Sequence, residues 1–188
     1  MGDDVKNIEI SAEMTPNPNT LKFVVNKMLL DKGSINIASK EKADKIVVAK
    51  SLFGIENVTA VMIGPSFISV TKKPEAAWDP MVGPIAETIR TELEKSDFEI
   101  PQEVVSAAPN DAVSEIETKI KAILDKEIRP AVAQDGGDII FYGYEDGVVT
   151  LHLQGACSSC PSSVMTLKMG VENRLKEMIP EVKEVVQV

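Results

Sequence analysis

The sequence has little aromatic character, an excess of acidic over basic residues and no long apolar run. Aromatic residues make up 4% of the 188 residues, and 29 acidic residues against 20 basic ones give a formal net charge of −9. A nucleic-acid partner is not expected, because nucleic-acid binding relies on cationic contacts to phosphates and on aromatic stacking. A membrane partner is not expected either, because no apolar run approaches the ~20 residues that cross a bilayer.

Histidine and cysteine are also scarce. The chain holds one histidine, His152, and two cysteines, Cys157 and Cys160. One histidine in the middle of a strand-like run does not form a credible Ser-His-Asp triad. The sequence also contains no Walker-type or dinucleotide-binding glycine pattern. Conventional hydrolase, kinase and dehydrogenase activities are therefore not expected.

The hydrophobic residues, 44% of the chain, are numerous enough to form packed cores. Their spacing predicts an α/β (α+β) protein of two small domains, each a mostly antiparallel or mixed β-sheet packed with helices. We expect the first domain to span residues 1–98 and the second to span residues 112–188. Residues 99–111 lack a periodic pattern and are predicted to be a linker.

Alternating and β-branched runs predict eight strands. They lie within residues 7–12, 21–25, 34–37, 58–63, 67–72, 139–144, 148–153 and 182–188. His152 alternates with two leucines in the seventh of these strands, so its side chain is predicted to face solvent.

Four helices are predicted from apolar spacing and from capping residues. The first is capped by Ser39 and runs to Phe53, and the second begins at Asp79-Pro80 or Gly83-Pro84 and carries Ile85, Ile89 and Leu93.

The third begins with a capping box of Ser114 and Glu117 and is kinked or ended by Pro130. The fourth begins at Pro161 and places one apolar stripe along its length, formed by Val164, Leu167, Val171, Leu175 and Met178.

The segment Cys157-Ser158-Ser159-Cys160 holds both thiols just before the last of these helices. Proline suits the first position of a helix, so Pro161 predicts that both sulfurs lie ahead of a helix N-terminus. The partial positive charge there favours thiolate, the form that binds metal or attacks disulfides. The intervening serines argue against burial of the two cysteines as an apolar pair. Two thiolates do not complete a four-ligand site, so either a second molecule supplies the rest or the pair is a redox dithiol.

Two further interpretations of the cysteines remain open from the residues alone. Zinc held within one chain needs two more ligands, and His152 and unspecified carboxylates are the only candidates. A thioredoxin-type dithiol also lies between a strand and a helix, but here the strand belongs to a predicted hairpin and proline follows the pair. The glycines of Asp135-Gly136-Gly137-Asp138 are better explained as helix termination than as part of a calcium loop.

The second domain resembles the C-terminal domain of NifU and Nfu proteins, which are iron–sulfur cluster scaffolds and carriers. The residues that carry this resemblance are Arg129-Pro130, Asp135-Gly136-Gly137-Asp138, Leu151, Leu153, Gly155, the segment from Cys157 to Ser163, Thr166-Leu167-Lys168, Gly170 and Ile179-Pro180-Glu181-Val182. The first domain resembles the N-terminal domain of two-domain Nfu proteins through the segments Thr15 to Phe23 and Phe67 to Lys72 and through Trp78.

The resemblance implies a non-enzymatic carrier whose cluster ligands are Cys157 and Cys160. A 4Fe–4S cluster ordinarily takes four thiolates, so we expect a labile cluster bridging a homodimer, with a 2Fe–2S form as the alternative. The implied partners are upstream cluster donors and apo iron–sulfur proteins. Because the first domain has no thiols and has a proline- and asparagine-rich loop at residues 15–20, we hypothesise that this loop docks a partner; the alternative is that it only connects two strands. The alternative function is a thiol–disulfide oxidoreductase.

The start of the chain has neither a signal-peptide hydrophobic region nor a basic transit segment. A cytoplasmic location is therefore expected. Because the family includes mitochondrial members, the mitochondrial matrix is the alternative, for a mature form that has lost its transit peptide.

Overall fold

A computed structural model describes residues 7–31, 33–95, 100, 115–158 and 161–188. These residues form two α+β regions, each built from one β-sheet and the helices packed on it. The fold class predicted from the sequence is therefore confirmed. The predicted linker 99–111 and Ser114 of the predicted capping box lie outside the described residues, apart from Ile100 within the linker.

The first region contains five strands, a 3₁₀ turn and two helices. They are β1 (Ile10–Met14), β2 (Thr20–Val25), β3 (Ile35–Ile37), the 3₁₀ turn Lys40–Lys45, α1 (Val47–Leu52), β4 (Val58–Ile63), β5 (Phe67–Lys72) and α2 (Asp79–Leu93). The sheet order is β1-β2-β5-β4-β3, and every neighbouring pair is antiparallel.

The inner strands β4 and β5 of the first sheet include buried residues on both faces. Alternate strand residues such as Val61, Ile68 and Val70 join Ile85 and Ile89 of α2 in one apolar core. Met62 and Ser69 lie on the opposite face, yet each is only 1% exposed. Successive side chains of a strand point to opposite faces, so this second face is covered as well, and β7 of the second region contributes to that cover.

The second region contains a long helical segment, a three-stranded sheet and a C-terminal helix. Its elements are α3 (Glu115–Ile123), the π-helical segment Leu124–Ile128, α4 (Arg129–Gln134), β6 (Gly137–Glu145), β7 (Val148–Gly155), the 3₁₀ turn Ala156–Ser158, α5 (Pro161–Met178) and β8 (Glu184–Gln187). β6 and β7 form an antiparallel hairpin, and β8 pairs with β7 in parallel. A separate apolar core includes Ile120, Leu151 and Leu175.

Both predicted hairpins are confirmed, at β4–β5 and at β6–β7. The helix predicted from Ser39 to Phe53 is wrong as one continuous helix. Ile46 adopts an extended conformation (φ −129°, ψ 104°) between the 3₁₀ turn and α1, and the side chain of Ser39 makes no capping hydrogen bond. Ile46 is β-branched, and such side chains lose rotamer freedom in a helix; Val47 and Val48, which follow it, are helical and begin α1.

Of the two effects expected of Pro130, an end of the helix is wrong, and a kink stays a prediction. The chain stays helical through Pro130 to Gln134, but residues Leu124–Ile128 form π-helical turns immediately before it. Proline lacks an N–H and clashes with the carbonyl four residues earlier, which here belongs to Lys126 within the π-helical segment. The wider turns accommodate the proline without ending the helix.

The two remaining helices begin where the sequence allowed but differ in detail. α2 begins at Asp79, the earlier of the two predicted starts, and contains Pro84. α5 begins at Pro161 as predicted. The apolar stripe predicted for α5 holds at Val171 and Leu175, which are buried, but is wrong at Met178, which is 49% exposed because it lies at the end of the helix.

Candidate functional site

A left-handed glycine directs the chain from β7 into the turn that carries Cys157. Gly155 ends β7 with φ +65°, a conformation that residues with a Cβ rarely adopt. A Cβ at this position would lie 2.6 Å from Sδ of Met62 and 2.7 Å from the carbonyl oxygen of Gly136. Both the backbone angle and the space therefore require glycine. The 3₁₀ turn Ala156–Ser158, called the cysteine turn below, follows directly.

The turn places Cys157 inside the protein. Its side chain is 5% exposed and belongs to the apolar core of the second region. The Sγ atom lies against Gly137, where a Cβ would come within 2.5 Å of the sulfur. The absent side chain of Gly137 is thus what makes room for the thiol.

The expectation that the polar loop keeps the cysteines out of the core is wrong for Cys157. The turn at Gly155 and the space beside Gly137 bury this thiol although serines follow it in the sequence. Cys160 lies outside the described residues, so its role as a ligand stays a prediction.

A salt bridge fixes the start of β6 beside the cysteine turn. Two nitrogens of Arg129, Nε and Nη2, donate to the two carboxylate oxygens of Asp138, each at 2.9 Å. The hydrogen bonds with Asp138 raise the pKa of Arg129 above its usual value, so Arg129 is a cation at neutral pH. Asp138 also accepts from the backbone N–H of Ile139 at 2.8 Å.

The segment from Asp135 to Asp138 ends a helix, in agreement with the sequence analysis. Gly136 has φ +73°, which turns the chain from α4 into β6. The partnership of Arg129 with Asp138 was not found from the sequence. A basic residue and an acidic residue nine positions apart have no helical or strand relationship that would indicate a pair.

Among the residues that the structure describes, His152 does not lie in a cluster of metal-binding side chains. Its Nδ1 lies 2.5 Å from the carbonyl oxygen of Val188, and its ring is partly exposed while Leu151 and Leu153 are buried. This orientation agrees with the predicted alternation. In the part of the chain that the structure describes, no three His, Cys, Asp or Glu side chains are grouped so that they could hold a metal ion.

The covered face of the first sheet contacts the backbone around Cys157. Asn17 Nδ2 donates to the carbonyl oxygen of Ala156 at 3.1 Å. Ser69 Oγ donates to the carbonyl oxygen of Gly136 at 2.8 Å. Sequence reasoning did not identify either contact. The one available signal was a serine in the apolar run of β5, where a polar side chain on a buried face requires a partner.

A third polar contact and a cavity lie beside these two hydrogen bonds. The hydroxyl of Ser34 donates to the carboxylate of Asp138. A cavity of about 420 Å³ lies between the regions, and its lining includes Phe67, Arg129 and Gly137. The boundary between the two regions is therefore partly polar and incompletely filled.

No helix within the described ranges is both long and apolar enough to cross a bilayer.

Family models match most of the chain. One described as "NifU-like domain" matches residues 120–186, and one described as "Scaffold protein Nfu/NifU N terminal" matches residues 10–96. Among solved structures, a solution NMR structure of a NifU-like protein from Saccharomyces cerevisiae covers 56% of this chain and 90% of that one, with 24% identity and a TM-score of 0.46. This TM-score is too low to establish a shared fold.

Curated relatives resemble the chain over nearly its full length. The human protein named NFU1 iron-sulfur cluster scaffold homolog, mitochondrial, is 41% identical over 98% of this chain and 73% of its own length. The protein of the same name from Drosophila ananassae is 41% identical over 97% of this chain and 65% of its own length. The chain thus spans less than two thirds of the fly protein. On these matches, the chain belongs to the Nfu family of iron–sulfur cluster scaffold proteins.

Proposed function

We propose that the chain carries a labile 4Fe–4S cluster as its cargo, bound between two copies that each contribute Cys157 and Cys160. The observation that carries the proposal is a ligand deficit. Such a cluster ordinarily takes four thiolates, whereas this chain holds two cysteines.

A cluster held between subunits is suited to transfer. Thiolates of an apo-protein replace those of the carrier one at a time, so no ligand set within one chain has to be dismantled. The partners of this proposal are upstream cluster donors and apo iron–sulfur proteins, and a 2Fe–2S cluster is the alternative cargo. The chain acts in this scheme as a carrier and not as an enzyme.

We also propose domain roles and a location. Residues 112–188 form the cluster-binding domain, residues 1–98 form a partner-docking domain, and residues 99–111 link them. The names of the human and fly relatives place those proteins in mitochondria. These names support the mitochondrial matrix over the cytoplasm for this chain.

Anaerobic reconstitution with iron and sulfide tests the cluster proposal. We expect brown, iron-dependent absorbance, a change from monomer to dimer on loading, and about two iron atoms per chain, since four thiolates hold four irons between two copies. Light scattering and iron analysis measure these quantities. Cys157→Ser and Cys160→Ser should each lose the cluster, whereas Ser158→Ala, a change in the same loop that keeps both thiols, should retain it.

Two outcomes would contradict the proposal. One is a monomer that carries a complete cluster, which would require all four ligands within one chain. The other is reversible disulfide turnover in a reductase assay without iron-dependent absorbance, which would favour the thiol–disulfide oxidoreductase. Zinc in protein purified without oxygen would favour a third assignment.

A further inference from the structure

We propose that the first region is a gate for Cys157: Asn17 and Ser69 hold the backbone at Ala156 and Gly136, next to this residue, and keep the turn that carries its thiol packed in the core of the second region until the two regions separate. The gate is proposed for the cluster-free protein. Its consequence for cluster loading rests on the function proposed above.

Asn17 is held rigidly in the loop that joins β1 to β2. Its Oδ1 accepts from the backbone N–H of Asn19 at 3.0 Å, and its own carbonyl oxygen accepts from the hydroxyl of Thr15 at 3.0 Å. The side chain is 3% exposed, and its Nδ2 donates to Ala156, the residue directly before Cys157. A fixed loop of the first region thus holds the cysteine turn.

Ser69 acts on the other side of the thiol. The carbonyl oxygen of Gly136 accepts both the hydroxyl of Ser69 at 2.8 Å and the backbone N–H of Ala156 at 3.2 Å. One carbonyl oxygen therefore joins strand β5 of the first region, the start of β6 and the cysteine turn. Gly136 is followed by Gly137, which lies against the sulfur of Cys157.

Two neighbouring contacts extend the covered face. Sδ of Met62 lies 2.6 Å from the position that a Cβ on Gly155 would take, so this side chain packs against the glycine that precedes the cysteine turn. Ser34 donates to Asp138, the residue after Gly137. Together with Asn17 and Ser69, these side chains contact the residues just before Cys157 and the start of β6 beside it.

The boundary between the two regions has features expected of a contact that can open. The apolar cores of the two regions are separate clusters with no shared member. The residues that join them include the buried polar side chains of Asn17, Ser34 and Ser69, and a cavity of about 420 Å³ lies between them. Polar groups regain hydrogen bonds to water when such a boundary separates, so each broken bond is largely replaced.

Opening is required for any ligand shared with a second molecule. At 5% exposure, the thiol of Cys157 is enclosed by its own chain. The closed arrangement is therefore a protected state of the thiol. A partner that binds the covered face of the first sheet would expose the cysteine turn at the same time.

Alkylation of the cluster-free protein tests the gate. In a full-length Cys160→Ser background, Cys157 is the only thiol, and reaction with iodoacetamide forms one S–C bond and releases iodide. We expect slow alkylation in this parent. Asn17→Asp keeps the acceptor for Asn19 but loses the donor to Ala156, and Ser69→Ala loses the donor to Gly136. Each should raise the rate roughly 2- to 10-fold, the factor that corresponds to one net hydrogen bond.

Matched controls separate the gate from loss of stability. Asn26→Asp removes a donor to Asn7 and keeps the acceptor for Glu9, and Ser51→Ala removes a donor to Glu92; all these bonds lie within the first region. We expect both controls to react at the parent rate. Equal acceleration in all four variants, or no acceleration in Asn17→Asp and Ser69→Ala, would overturn the gate.

The parent alone supplies a measurement that needs no further variant. Low urea should accelerate alkylation well before the unfolding transition, because opening exposes less surface than unfolding. A rate that rises only with global unfolding would show that Cys157 is a core residue without a gate. Since the assay contains no iron, its result is independent of whether the chain carries a cluster.

Discussion

At the scale of single residues, the environment of Cys157 depends on atoms that glycine lacks. Gly155 makes the turn possible through its positive φ, and Gly137 leaves room for Sγ. The two positions act differently, since Gly137 does not adopt a left-handed conformation and its requirement is purely steric. A single methyl group added at Gly137 would therefore displace the sulfur of Cys157.

Gly137→Ala should destabilise the second region. The added Cβ would lie 2.5 Å from Cys157 Sγ and 3.0 Å from the carbonyl oxygen of Gln154, and the latter is backbone that cannot move away easily. We expect a loss of about 1–3 kcal/mol in the free energy of unfolding, typical of overpacking. Urea denaturation measures it.

Gly143→Ala is the matched control, because it lies in the same strand and its Cβ would have no neighbour within 4 Å. We expect a change of no more than about 0.5 kcal/mol, as for surface positions generally. Equal losses in both variants would show that strand propensity, and not the space beside the sulfur, determines the effect.

At the scale of elements, a salt bridge joins the π-helical segment to the C-terminal helix. Arg174 of α5 donates from Nε to Glu127 at 2.7 Å and from Nη1 to Glu177 of its own helix at 2.8 Å. The hydrogen bond from Arg174 lowers the pKa of Glu127 below its ordinary value of 4.5. Only the contact with Glu127 links two elements.

Glu127→Gln should therefore lower the melting temperature slightly at neutral pH and have no effect in acid. Because the folded pKa of Glu127 is depressed, its contribution to stability is present above the unfolded value of 4.5 and is lost as pH falls through the folded pKa. Thermal unfolding followed from neutral to acidic pH measures the difference between variant and wild type.

Glu177→Gln serves as the comparison, since it removes a contact of the same arginine within α5 alone. We expect a smaller shift, because exposed pairs three residues apart on a helix contribute little. A shift for Glu127→Gln that persists unchanged below the folded pKa would mean that the glutamine alters packing and that the ion pair is not responsible.

At the scale of the whole molecule, two apolar cores are joined by a partly polar boundary. The sole tryptophan, Trp78, packs on the core of the first region, whereas both tyrosines, Tyr142 and Tyr144, lie in β6 of the second. The two regions therefore carry separate spectroscopic reporters. Coupling across Asn17 and Ser69 should make these reporters respond together.

Combining Asn17→Asp with Ser69→Ala should uncouple the two regions. We expect the urea midpoints of tryptophan fluorescence and tyrosine difference absorbance to lie close together in the wild type and to diverge in the double variant, since coincident transitions require cooperative contacts. The pair Asn26→Asp and Ser51→Ala should keep the wild-type spacing. Divergence of the same size in that control would refute coupling through the boundary.

The sequence by itself determined the elements that depend on neighbours along the chain. Alternation predicted both hairpins, Pro161 marked the start of α5, and the glycines after α4 marked its end. The cysteine segment and its surroundings indicated the family. Each of these signals is local, because strand period, capping and turn geometry involve residues a few positions apart.

Only the tertiary structure decided that Cys157 is buried and which side chains of the first region contact the backbone beside it. Asn17 and Ala156 are 139 residues apart, and Ser69 and Gly136 are 67 apart. Such contacts arise when the face of one sheet meets the backbone of another region, and they leave no period in the sequence. The chemistry of the thiols can be inferred from the chain; their exposure cannot, because it depends on how two separately built regions pack together.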